Sequence, residues 1–275
     1  MPGFAADIDV SGDLTIATGR FPRQISSATS PMNTTSFFGQ TAIVTGASGA
    51  VGQAIAARLL DRDATVCLLA RSEKSLHSLI AEKAWPPERA LPYSVDLAQP
   101  AAVTRLCHEL SRHHRSVHLL VHCAGTIALH DVEQARIEDL DRQYQVNLRA
   151  PYQITQRLLP RIIACKGQVA FINSTAVLRP AKGAAQYAAT KQGLRALADS
   201  LREEVNQHGV RVLSVFMGRT ASRMQATVHE HEQRPYRPEN LLQPDDVASI
   251  LLYALELPRT AEVTELSIRP LIKSC

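Results

Sequence analysis

Between residues 41 and 270, short apolar runs alternate with longer stretches in which apolar positions recur every three or four residues. The first run, TAIVTG (41–46), is continuous rather than alternating, which suits a parallel strand buried on both faces. Helical periodicity follows in VGQAIAARLLDRD (51–63), then a second strand in ATVCLLA (64–70) and a second helix in SEKSLHSLIAEKA (72–84). The alternation continues with ALPYSVDL (90–97) as strand, AAVTRLCHELSRHH (101–114) as helix and VHLLVHCAG (117–125) as strand. IEDLDRQYQVNLRAPYQITQRLLPRI (137–162) predicts one long helix that Pro151 and Pro160 bend or interrupt. A fifth strand, GQVAFINST (167–175), leads into a long helix over 184–209 that Gly209 ends. VRVLSVFMG (210–218) is a sixth strand, PDDVASILLYALEL (244–257) a capped helix, and VTELSIRP (263–270) a last strand.

Strands joined by helices of this length form βαβ units with right-handed crossovers. The expected fold is therefore α/β: one doubly wound parallel sheet with helices on both faces, over residues 36–275, with no internal repeat and no second domain. Residues 1–35 are rich in Ser, Thr, Gly and Pro, have no sustained period, and read as a flexible N-terminal extension. They lack the charged start and long apolar core of a secretory signal, and Asp7, Asp9 and Asp13 argue against an organelle transit peptide. Met32 stands where the compact region opens and is a candidate alternative start.

Composition narrows the function classes. The 275 residues are 45% hydrophobic and 20% charged, the balance of a globular protein. Net charge is +4, but the bases are interleaved with acids, so no nucleic-acid footprint stands out. No apolar run has the length of a membrane span. The five cysteines (Cys67, Cys107, Cys123, Cys165, Cys275) are odd in number and dispersed, which fits a reducing, cytoplasmic setting better than a disulfide framework.

The chemistry begins at TGASGAVG (45–52), where a strand turns into a helix through Gly46, Gly49 and Gly52. Glycines at such a turn let backbone N–H groups approach a pyrophosphate, and the helix N-terminus adds partial positive charge. A structural turn would use the same residues, so the next strand discriminates. A dinucleotide site places an acid there for the adenosine ribose, or an arginine for a 2′-phosphate. Arg71 follows Gly52 by 19 positions, with no acid at the strand end. Its planar fork suits phosphate, which favours NADP(H); NAD(H), with Arg71 turned to solvent, is the alternative. A second constellation lies in STAVLRPAKGAAQYAATK (174–191). Tyr187 and Lys191 are four apart at a helix start and so share one face. A neighbouring ammonium lowers a phenol's pKa and makes it a usable acid/base. Ser174, 13 positions before Tyr187 at a strand end, can donate a hydrogen bond to a substrate oxygen.

Taken together, TGASGAVG, ARSEK (70–74), VDL (95–97), HCAG (122–125), QVN (145–147), NST (173–175), YAATK (187–191) and MGRT (217–220) resemble the short-chain dehydrogenase/reductase family over roughly residues 38–270. The resemblance implies a Rossmann-type fold and hydride transfer between NADP(H) and a carbonyl or alcohol substrate. It implies that Tyr187 exchanges the proton with substrate oxygen, Lys191 binds the nicotinamide ribose and depresses the tyrosine pKa, and Ser174 orients the carbonyl. Asn147 then positions a water in a proton relay to the lysine; a buried, satisfied polar residue is the other reading of Asn147. Gly46, Ser48, Gly49, Val51 and Gly52 form the cofactor turn. Asp96 and Leu97 touch the adenine, Ala124 and Gly125 lie beside the cofactor, and Gly218 and Thr220 contact the nicotinamide. Relatives pair as homodimers or homotetramers, and no metal is expected.

Four departures from the family pattern stand out. Position 50 is Ala50 where the commonest single-domain spacing has glycine, Cys123 replaces an asparagine that braces the central strand, Met217 replaces a proline whose loss loosens the nicotinamide loop, and VTELSIRP replaces a glycine-rich end. They keep a second class open, a cofactor-binding sensor or scaffold without turnover. The segment 220–243 reads as a lid of polar, partly basic loop, with His229 and His231 solvated and Arg219, Arg223, Arg234 and Arg237 in reach of solvent or of an acidic substrate. RHHRSVH (112–118) reads as a charged helix end rather than a metal site.

Overall fold

The computed structural model describes residues 37–272; the extension 1–35 and Cys275 lie outside the described residues. Seven strands form one parallel sheet: β1 (Thr41–Thr45), β2 (Thr65–Ala70), β3 (Ala90–Ser94), β4 (Leu119–His122), β5 (Gln168–Ser174), β6 (Arg211–Met217) and β7 (Glu265–Ile268). Their order is β3-β2-β1-β4-β5-β6-β7, so the chain winds outward from β1 in one direction and returns to build the other half. The strands are continuous apolar runs because both faces are covered. Alternate residues go to opposite layers: Ala42 and Val44 of β1 face one core, Ile43 the other, and β5 divides Ala170 and Ile172 from Val169 and Phe171 in the same way. The first core is closed by α1 (Ala50–Leu60), α2 (Glu73–Glu82) and α8 (Pro244–Leu255). The second is closed by α3 (Pro100–His113), α5 (Ala150–Ala164) and α6 (Ala185–Val205). The other helices are α4 (Ile137–Tyr144) and α7 (Arg223–His231).

Two expectations about elements need correction. The long helix over 137–162 is interrupted, but Pro160 lies inside α5 and Pro151 in its first turn. The break is a π-helical turn, Gln145–Arg149, in which the Ala150 N–H donates to the Gln145 carbonyl five residues back. Pro151 has no N–H to close the ordinary four-residue bond onto Asn147, and the wider turn accommodates that loss. The polar segment 220–243 is not a loop throughout. Ser222 caps α7 by accepting from the Gln225 N–H at 3.2 Å, and His229 is buried, its ring Nδ1 2.8 Å from the Gln225 carbonyl and its ring T-shaped against Tyr236 at 5.5 Å. Among the described residues no helix is long and apolar enough to cross a membrane.

Candidate active site

A parallel sheet puts the carboxyl ends of all its strands on one edge, and the candidate catalytic and cofactor-binding residues lie on or beside that edge. The glycine turn follows β1. Gly46 has φ +70°, and a Cβ there would lie 2.8 Å from the Ala124 backbone, so the loops after β1 and β4 touch through it. A Cβ on Gly52 would lie 2.3 Å from the Gly46 carbonyl oxygen. Gly49 is the N-cap of α1 and brings no side-chain cap, which leaves the first-turn amides directed outward beside Ser48 and Val51. Ala50 is simply the first residue of α1, so the glycine spacing of this chain builds the turn without a glycine there. These close backbone approaches are the shape a dinucleotide pyrophosphate requires. Arg71 follows β2, exposed, with its carbonyl tied by the Ser94 hydroxyl at 3.0 Å. Asp96 accepts from the Ala98 N–H at 3.0 Å, and Leu97 is buried.

The β4 end is braced without the family's asparagine. The Thr45 hydroxyl accepts from both the Cys123 and Ala124 N–H groups, at 3.0 and 3.1 Å, a role the sequence reading did not assign. Cys123 itself is held as a thiol, its pKa pushed up to about 12 by burial. His122 is buried, stacks on Phe171 at 5.0 Å and meets the Thr155 hydroxyl at 2.8 Å. Burial, with Lys191 nearby, pushes it down to about 3 and keeps it neutral. The β6 end is not loosened by the loss of proline: Met217 pairs with Ser174 of β5 and Ile268 of β7, and the Gly218 N–H donates to the Ile268 carbonyl at 2.8 Å. The Thr220 hydroxyl turns back to the Gly218 carbonyl at 3.0 Å.

Tyr187, Lys191, Ser174 and Asn147 converge from three elements. Tyr187 and Lys191 sit on the inner face of α6, both buried, with the ammonium 6.0 Å from the ring centroid. The Lys191 ammonium donates to the Ile172 carbonyl at 3.0 Å, and its pKa falls to about 8 through burial. The Tyr187 phenol is raised by burial and pulled back by its hydrogen bond to Ser174. In this state Ser174, rather than Lys191, is the group favouring phenolate, which differs from the expected direct effect of the lysine. Asn147, in the π-helical turn, is fully buried and fully used: its Oδ1 accepts from the Thr126 N–H at 2.8 Å, and its Nδ2 donates to the Thr126 carbonyl at 2.9 Å and the Thr190 hydroxyl at 3.1 Å. A Cβ on Gly125 would lie 3.6 Å from Asn147 Oδ1, 3.8 Å from Lys191 Nζ and 4.0 Å from Met224 Cε, so Gly125 keeps open the floor these groups share. Met224 comes from α7, an element the polar sequence of 220–243 does not announce. Arg219 is not free for a substrate: it makes a two-point pair with Glu232 at 2.7 Å.

Comparison with known proteins gives a consistent result. The family model for short chain dehydrogenase matches residues 40–233. An uncharacterized oxidoreductase of Staphylococcus epidermidis is 27% identical over 230 residues, covering 83% of this chain and 96% of the relative. Among solved structures, a metagenomic short-chain oxidoreductase in complex with NADP is similar at 28% identity and TM-score 0.72, covering 87% of this chain and all of that one. An alcohol dehydrogenase from the archaeon Thermococcus sibiricus, complexed with 5-hydroxy-NADP, shares the fold at TM-score 0.74 and 24% identity, covering 86% of this chain and 98% of that one.

Proposed function

Because this chain belongs to the short-chain dehydrogenase family and is an NAD(P)-dependent oxidoreductase, we propose that it transfers hydride between NADP(H) and a small carbonyl or alcohol substrate, with Tyr187 as the acid/base. The observation that carries the reading is the meeting of a buried phenol, its Ser174 hydrogen bond and the buried Lys191 ammonium above an open floor at Gly125. When bound, the nicotinamide supplies the hydride. The chain's own residues do the rest. The glycine turn and the first turn of α1 hold the pyrophosphate, and Arg71 meets the adenosine 2′-phosphate; the NADP-bound state of a 28% identical relative supports that preference. Asp96 and Leu97 line the adenine, and Ala124, Gly125, Gly218 and Thr220 bound the nicotinamide end. Ser174 donates to the substrate oxygen and fixes it beside Tyr187. Tyr187 gives its proton to that oxygen as negative charge develops there, so stabilisation is concentrated in the transition state. Lys191, cationic below about pH 8, holds the ribose, and Ser174 favours the phenolate left behind. Asn147, its side chain spent on Thr126 and Thr190, keeps the Thr126 backbone and the π-helical turn in place beside Lys191. Under this reading the protein assembles as a homodimer or homotetramer and acts in the cytoplasm.

Tyr187→Phe tests the reading. Turnover of NADPH with carbonyl substrates is expected to fall by at least about a hundredfold, the scale of acid/base assistance, while NADPH binding, read by protein fluorescence, stays within about twofold. Arg71→Asp is the companion and should reverse the preference for NADPH over NADH. Turnover that survives the loss of the phenol hydroxyl would refute the assignment of Tyr187.

A further inference from the structure

The lid helix α7 is fixed at its root and touches the opposite wall at its tip. At the root the Tyr236 hydroxyl accepts from the Ser222 N–H at 3.0 Å, and Arg219, just before the helix, pairs with Glu232 at its far cap. At the tip, the His231 ring meets the His130 ring edge-on, with centroids 5.8 Å apart. His130 belongs to the loop after β4, and that loop is bound in turn to the segment leading into α6. The His130 N–H donates to the Gly183 carbonyl at 2.9 Å, and Lys182 pairs with Asp131 at 3.1 Å. The histidine pair is therefore positioned by the same segment that positions Tyr187.

Met224, Val228 and His231 recur at i, i+4 and i+7 and share one face of α7. The two ends of that face are located by contacts: Met224 Cε within 4.0 Å of the point above Gly125 that also lies 3.8 Å from Lys191 Nζ, and His231 against His130. The inner face thus runs from thioether through isopropyl to imidazole over roughly 10 Å of helix. At its deep end the wall is apolar. At its mouth it presents two exposed imidazoles. Two imidazoles side by side, each with an N–H to donate, suit a carboxylate.

We propose that His130 and His231 are the specificity-determining pair of the substrate cleft, and that the substrate is a keto acid or hydroxy acid with a compact apolar spacer between its reacting carbon and its carboxylate. The proposal rests on the reading of Tyr187 as the reacting centre. Met224 and Val228 pack the spacer, and the histidine pair holds the carboxylate at the mouth.

The test compares a keto-alkyl benzoic acid with its own methyl ester, in wild type, His231→Leu, His130→Leu and His231→Gln. Both kcat/KM with NADPH and binding of each compound to the cofactor-loaded protein are measured. Wild type should favour the acid by about tenfold or more, the worth of one hydrogen bond to a charged group. Either leucine variant should erase that preference through KM while ester turnover stays within about twofold, and His231→Gln, which keeps a donor, should restore part of it. Equal handling of acid and ester by wild type, or a preference that survives both leucine variants, overturns the proposal and leaves the Tyr187 reading intact. Tight, histidine-dependent binding of the acid without turnover upholds the pair and counts against Tyr187. Binding of neither compound overturns the pair.

Discussion

Gly52→Ala isolates the geometry on which the cofactor turn depends. The added Cβ would lie 2.3 Å from the Gly46 carbonyl oxygen, 2.9 Å from the Gly46 carbonyl carbon and 3.0 Å from Ala47 Cα. All three are backbone atoms, so no side chain can swing aside. Reaching an ordinary carbon–oxygen contact near 3.3 Å requires the turn to open by about 1 Å. Overpacking of this kind costs about 1–3 kcal/mol, which in a chain of this size lowers Tm by roughly 3–10 °C. The same displacement moves the amides that meet the pyrophosphate. Loss of one charge-assisted hydrogen bond weakens NADPH binding by roughly 10- to 100-fold. Thermal unfolding with and without NADPH, together with a fluorescence titration, reads both effects. Ala50→Gly is the control: as the first residue of α1 it touches neither contact, and binding should stay within about threefold. If Gly52→Ala keeps the Tm and NADPH affinity of wild type, the close approach within the turn does not limit the site and the cradle argument fails.

Burial of His122 and the π-helical turn at Pro151 give two further expected outcomes. His122 is depressed to about 3 in the folded chain, well below its unfolded value near 6.5. The unfolded chain therefore takes up the proton first, so the stability that neutral His122 contributes is present above pH 6.5 and lost as pH falls towards 3, at up to about 1.4 kcal/mol per pH unit. Denaturant midpoints taken from pH 7.5 to 4.5 should fall more steeply in wild type than in His122→Asn; equal slopes would show that His122 does not carry the effect. Pro151→Ala returns an N–H to the Asn147 carbonyl and should draw the π-helical turn towards a regular α-helix, moving Asn147 off Thr126. Faster hydrogen exchange at the Thr126 amide, a rate lower by about 10- to 100-fold and little change in Tm are expected, whereas unchanged exchange and rate would mean that Pro151 does not set the turn.

The sequence by itself determined the order and class of the elements. Continuous apolar runs such as ATVCLLA and helical periods such as VGQAIAARLL are local patterns, and a strand that must be buried on both faces can be recognised without its neighbours. It also determined which residues gather at the carboxyl edge, because parallel winding sends every strand end there. Tertiary structure decided how those residues are connected. That Thr45 takes over the bracing of Cys123 and Ala124 depends on partners 78 and 79 residues away. The neutrality of His122 and the depressed Lys191 depend on burial, which no spacing encodes. Segment 220–243 read as polar loop because its helix buries only His229 and offers Met224 and Val228 to a cleft rather than to the core, so the usual apolar stripe is missing. The π-helical turn escaped the sequence reading for a different reason: Pro151 announces a disturbed ladder, but whether the helix bends, stops or widens is set by what Asn147 must reach across the fold.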